Sequence, residues 1–84
     1  MTPKKQEVPE QACLRQHLQR IRKAAKLTQQ ELAEKLSRPQ SYISKIENGA
    51  RGASFLEVRA FCQACKVDFG KFIKGLEADL SDTD

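Results

Sequence analysis

No stretch of this 84-residue chain approaches the roughly 18 consecutive apolar residues that a membrane-crossing helix requires. The opening Met1-Thr2-Pro3-Lys4-Lys5 leads into polar sequence, not into the apolar segment of a secretory leader, so a cytosolic protein is expected. Histidine occurs once, as His17, which leaves few general bases to draw on, and an enzyme is not expected. The three cysteines are an odd number in a chain read as cytosolic, which argues for reduced thiols. Cys62-Gln63-Ala64-Cys65 is a lone CxxC, and His17 lies far from it. A four-ligand zinc site there would need a second chain. Both sulfurs fall on the apolar side of a predicted helix, where cysteine packs as a small hydrophobe, so no metal and no cofactor are expected. Repeats and low-complexity segments are missing as well. A chain of this length holds one small domain, with little room for a buried catalytic pocket.

What is present is basic charge, unevenly spread. The net charge is +4, yet residues 14 to 52 carry nine bases against Glu31, Glu34 and Glu47, a balance of +6, while residues from 53 onward total −2. Such asymmetry suits a surface that binds a polyanion and equally suits an ordinary solvated helix surface.

Hydrophobic spacing gives five helices and no strand. Residues 1–9, with Pro3 and Pro9, have no apolar period and read as a flexible arm. Lys4 and Lys5 make it a solubilising tail or a further contact to a polyanion. Leu14, Leu18, Ile21 and Ala25 then mark a helix over about 10–25. Thr28 and Glu31 form a capping box that opens a two-turn helix to about Leu36. Ser37-Arg38-Pro39 breaks the run, because proline disfavours helical geometry in the residue before it. A third helix spans about 40–48 and stops at Gly49, a residue suited to a left-handed C-cap. Ser54 and Glu57 make a second capping box for a helix to about Cys65, and Asp68 caps a last helix over about 69–78. The domain is therefore expected over residues 10–80, with 81–84 as a frayed tail.

The third helix has an unusual outer face. With Ile43 and Ile46 directed to the core, Ser41, Ser44, Lys45 and Asn48 fall on the opposite side, Tyr42 on one flank and Gln40 at the N-terminal end. No acid projects from that face. A helix of small and donor-bearing residues can enter a major groove about 12 Å wide, where Gln pairs with adenine, Lys donates to guanine and Ser bonds more weakly to either. Gln40, Ser41, Ser44 and Lys45 are the candidate base readers. Gln29, at the start of the preceding helix, and Arg38, Tyr42, Asn48 and Arg51 around the groove are the candidate phosphate contacts. Each of these, taken singly, is also compatible with a solvated surface side chain.

Leu14 to Arg22, Leu27-Thr28-Gln29-Gln30-Glu31-Leu32-Ala33, the run from Pro39 to Gly49, and Phe61 with Ala64-Cys65-Lys66-Val67-Asp68 together resemble the Cro/lambda-repressor-like (XRE-type) helix-turn-helix regulators. The resemblance covers residues 14 to about 78. It implies a compact all-α bundle of four or five helices that binds operator DNA, usually as a dimer. Carried over by position, it gives Gln29 to phosphate, and Gln40, Ser41, Ser44 and Lys45 to bases or adjoining backbone. It also makes Arg22 and Glu47 a structural ion pair between the first and third helices. Three positions depart from the family pattern. Ser37 stands where glycine is usual, so a left-handed conformation there costs on the order of 1 kcal/mol. Arg38 replaces a small apolar residue, and Pro39 takes the usual Ser or Thr cap position.

The last helix carries Phe69, Phe72, Ile73 and Leu76 at i, i+3, i+4 and i+7, with Leu80 beyond. A domain this small need not cover the whole stripe, so these residues are the candidate homodimer surface, with double-stranded, near-palindromic DNA as partner and no membrane contact. A transcriptional repressor or autoregulator is the expected function, a restriction-modification controller being a variant within that class. The alternative is an antitoxin-like module that neutralises a partner protein and binds DNA secondarily; it would need an apolar patch left exposed after dimerisation.

Overall fold

The computed structural model describes residues 8–81. It holds α1 (Pro9–Ala24), α2 (Gln29–Lys35), α3 (Gln40–Glu47), α4 (Phe55–Ala64) and α5 (Phe69–Ser81), and no strand among the described residues. Helix ends fall within a residue of the sequence expectation except at the end of α5, and two differences bear on the expected domain limits. Pro9, assigned to the arm, is instead the first residue of α1, where its missing N–H would have had no partner within the helix. Residues 1–7 of that arm, with Lys4 and Lys5, lie outside the described residues. At the other end α5 runs three residues past Ala78, because half-buried Leu80 extends the apolar stripe of Phe72, Ile73 and Leu76 by another turn. Of the expected frayed tail, Ser81 is helical, and 82–84 lie outside the described residues.

Both capping boxes form. Thr28 Oγ1 accepts from the Glu31 N–H at 3.0 Å while the Thr28 N–H donates to Glu31 Oε1 at 2.9 Å. Ser54 and Glu57 repeat the arrangement at 3.2 and 2.8 Å. Asp68 Oδ1 accepts from the Lys71 N–H at 2.9 Å and starts α5. Pro39 is the N-cap of α3 and offers no side-chain cap, so Gln40 is its first helical residue.

Helices α1, α2 and α4 end in one device. Lys26, Ser37 and Lys66 adopt left-handed φ angles of 61°, 55° and 59°. Around them, Leu27 donates to the Arg22 carbonyl, Arg38 to Ala33 and Val67 to Cys62, while Lys26 donates to Lys23, Ser37 to Glu34 and Lys66 to Gln63. These paired bonds are Schellman motifs, which satisfy carbonyls that the helix end would leave open. Among the described residues only α3 uses glycine in this role, Gly49 with φ 85°.

The core comprises Leu18, Leu32, Ala33, Ile43, Ile46, Val58, Phe61, Cys62, Cys65 and Phe72, drawn from all five helices. Cys62 and Cys65 are in it, as expected. Burial pushes the Cys62 thiol up to about 11 and raises that of Cys65 too, so both stay neutral and serve as packing groups.

Candidate nucleic-acid interface

Helices α2 and α3 pack against each other through Leu32, Ala33, Ile43 and Ile46, which leaves the opposite side of α3 in solvent. Gln40, Ser41, Lys45 and Asn48 are exposed there, and Ser44 is half-buried. The acid of this helix, Glu47, is only 4% exposed and faces inward.

Glu47 is the centre of a bonded chain. Its Oε2 accepts from Arg22 Nε at 2.7 Å, and its Oε1 from Arg22 Nη2 at 2.9 Å, so the guanidinium grips the carboxylate with two parallel bonds. Arg22 Nη1 donates to the Leu27 carbonyl at 2.8 Å, and Arg15 Nη1 donates to the Glu47 carbonyl at 3.1 Å. Gln29 Nε2 adds a third donor to the Glu47 carboxylate at 3.0 Å. Gln40 Nε2 in turn donates to Gln29 Oε1 at 2.9 Å. A continuous path thus runs from α1 through the buried acid of α3 and the first residue of α2 back to the first residue of α3. Among the described residues no buried side-chain nitrogen or oxygen lacks a partner, so this polar path leaves no desolvated group uncompensated.

The sequence expectation for Gln29 is a phosphate contact alone. Here its amide is bonded at both ends, donating to Glu47 and accepting from Gln40, with one N–H left over. Neither bond is visible from spacing, since the partners lie 11 and 18 residues apart.

The flank is organised by Tyr42. The guanidinium carbons of Arg38 and Arg51 each lie 5.0 Å from its ring centroid, within cation–π range. Arg51 also reaches Glu57 at 3.2 Å. Burial, and then the neighbouring Glu57, push the Tyr42 hydroxyl above its ordinary value. The Ser54 backbone N–H, aided by Tyr42 and Arg51, holds the Glu57 carboxyl low. The three candidate phosphate contacts Arg38, Tyr42 and Arg51 therefore form one cluster. Asn48 stands apart: its Oδ1 accepts from the Ala50 N–H at 2.9 Å and shapes the turn after α3.

Of the stripe on α5, Ile73 is exposed at 38%, and Phe69 and Leu76 are half-buried. Phe72 is different. It is 5% exposed and packs edge-on against His17, which makes it a core residue of the single chain and removes it from the expected dimer surface. Phe55, 67% exposed and with its ring centroid 5.2 Å from that of Phe69, extends that apolar surface from α4, outside the α5 stripe that spacing alone picks out. Leu56 is exposed too, but beside Leu36, Arg38, Tyr42 and Ala60, away from α5.

Two consecutive helices joined by a tight left-handed turn, the second packed by one face and offering an acid-free polar face outward, constitute a helix-turn-helix domain. Residues 14–70 match the helix-turn-helix domain family. An XRE-family-like protein from Pseudomonas syringae pv. tomato str. DC3000 is similar at 39% identity, over 82% of this chain and 84% of that one, with a TM-score of 0.77. The chain belongs to the XRE-type helix-turn-helix family. The wild-type restriction-modification controller protein C.Esp1396I has the same fold, at 23% identity and TM-score 0.80 over 88% of this chain and 97% of that one. A tetramer of that controller in complex with its natural 35 base-pair operator superposes with TM-score 0.77 at 24% identity, over 86% of this chain and 95% of that one. No curated protein matches the chain.

Proposed function

We propose that this protein is a transcriptional regulator that binds double-stranded DNA by inserting α3 into the major groove. The observation that carries the reading is the exposed face of α3, free of acids, with Gln40 held in register by Gln29 and Glu47. Gln40, Ser41, Ser44 and Lys45 read bases. Gln29, Arg38, Tyr42, Asn48 and Arg51 hold phosphates on either side, which fixes orientation and supplies the salt-dependent part of the affinity. The activity is binding, not catalysis.

The protein acts as a homodimer through Phe69, Ile73 and Leu76 of α5 together with Phe55. Two copies related by a two-fold axis place their α3 helices about 34 Å apart, on successive major grooves of a near-palindrome. Repression or autoregulation is the regulatory sense of this reading, with the cytoplasm as the place where the protein meets its DNA. The bearing of the operator-bound controller on this chain is the same shape of partner, duplex DNA read by an oligomer. The antitoxin-like alternative is the less favoured reading. The test is selection from a random duplex pool, followed by titration of the winner and of scrambled DNA at two salt concentrations. A near-palindromic winner whose affinity survives added salt better supports specific dimeric reading. No enrichment, with weak binding that vanishes as salt rises, would overturn it.

A further inference from the structure

The fold brings together three side chains that DNA binding does not use. Cys13 and His17 are four residues apart on α1, so they project from one face one turn from each other. Asp79 arrives from the far end of α5. Its Oδ2 lies 2.5 Å from His17 Nε2, and the donor atoms of Cys13, His17 and Asp79 all fall within 4.8 Å of one another. The His17 ring is buried and set edge-on to Phe72, so its direction is fixed. The Asp79 side chain is 51% exposed, which opens the cluster to solvent on one side.

We propose that Cys13, His17 and Asp79 form a binding site for a divalent transition-metal ion of the zinc class, which ties the end of α5 to α1. One sulfur, one imidazole nitrogen and one carboxylate oxygen are a donor set that zinc-class ions accept, whereas magnesium and calcium require oxygen ligands. Zinc bonds of about 2.0–2.3 Å set tetrahedral donors roughly 3.3–3.6 Å apart. With the His17 ring held in place, the partly buried Cys13 and the exposed Asp79 reach this spacing by side-chain rotation, in which the ion takes the place of the direct His17–Asp79 bond. The thiol proton of Cys13 passes to solvent as the sulfur–metal bond forms. Water fills the fourth position on the exposed side. The buried Cys62 and Cys65 take no part.

The experiment uses the untagged, reduced, chelator-stripped full chain, titrated with Co²⁺ and then Zn²⁺. One equivalent per chain should bind, with a thiolate-to-cobalt charge-transfer absorption that Zn²⁺ abolishes, and Zn²⁺ should raise the thermal midpoint. Cys13→Ser should eliminate the charge-transfer absorption, and His17→Gln should weaken binding at least 100-fold. Asp79→Asn changes an exposed carboxylate and serves if the His17 variant does not fold; it should weaken binding about tenfold or more and abolish the zinc-induced rise in midpoint. A Cys62→Ala variant should keep the absorption. Absorption that survives Cys13→Ser, an Asp79→Asn variant that binds unchanged, or a wild-type chain that binds neither ion at hundreds of micromolar would overturn the proposal. The cluster would then be a hydrogen bond between helices and nothing more.

Discussion

At the scale of single residues the decisive group is Glu47, a carboxylate sunk in the protein and bonded by Arg22 and Gln29. Removing one partner strands the other charge, so Glu47→Ala should lower stability by about 3–5 kcal/mol in urea unfolding. The double replacement Arg22→Met with Glu47→Leu should cost distinctly less, since no unpaired ion remains. Gln40→Ala should relax selection at one base pair by about 1–3 kcal/mol in competition titrations. Gln29→Ala should also weaken binding to the selected duplex. If Gln29 works by aiming Gln40, part of its effect should vanish when Gln40 is already alanine, and a double-mutant cycle measures that overlap. Independent, additive effects would instead confine Gln29 to phosphate. Cys62 supplies a pH prediction. Its folded thiol titrates near 11 against an ordinary 9.0, so the folded state holds the proton more tightly than the unfolded chain does. The resulting stability is complete below pH 9 and lost between about 9 and 11. Cys62→Ala should flatten that part of the urea-midpoint profile relative to wild type.

Among the helices, local chemistry and packing agree closely. Thr28, Ser54 and Asp68 start their helices as their side chains dictate, and Gly49 ends α3 in the left-handed conformation that glycine tolerates. The other three ends are less comfortable, because Lys26, Ser37 and Lys66 hold positive φ with a Cβ attached. Each substitution to glycine should stabilise the fold by up to about 1 kcal/mol, the backbone strain relieved exceeding the chain entropy lost. Thermal unfolding of the three single variants checks this, and their separation in the fold should make the gains nearly additive. The Ser37 strain was legible beforehand, since it stands where family members carry glycine. The end of α5 lies three residues beyond the expected one, although Leu80 continues the spacing of the stripe. Helix ends of that kind depend on what the next apolar residue finds to pack against.

For the whole molecule, the question is which apolar surface remains once the chain has folded. Phe72 goes to the core; Ile73 and Phe55 stay outside. Replacing Phe55 and Ile73 together by Ser and Lys should therefore yield a stable monomer by sedimentation, with DNA affinity reduced far more than the fold is disturbed. A dimer that persists in this double variant would move the interface elsewhere.

The sequence by itself determined the helix count, the capping, the polar face of α3 and the basic half of the chain, because these depend on neighbours within a turn or two. Periodicity, cap chemistry and charge are local properties and can be read locally. Tertiary structure alone decided that Gln29 bridges Glu47 to Gln40, that Arg38 and Arg51 gather on Tyr42, and that Phe72 points inward. It also decided that Asp79 meets His17 from 62 residues away. Those outcomes depend on how one helix crosses another, and a shift of a few ångströms in packing makes or breaks a hydrogen bond without altering any local preference.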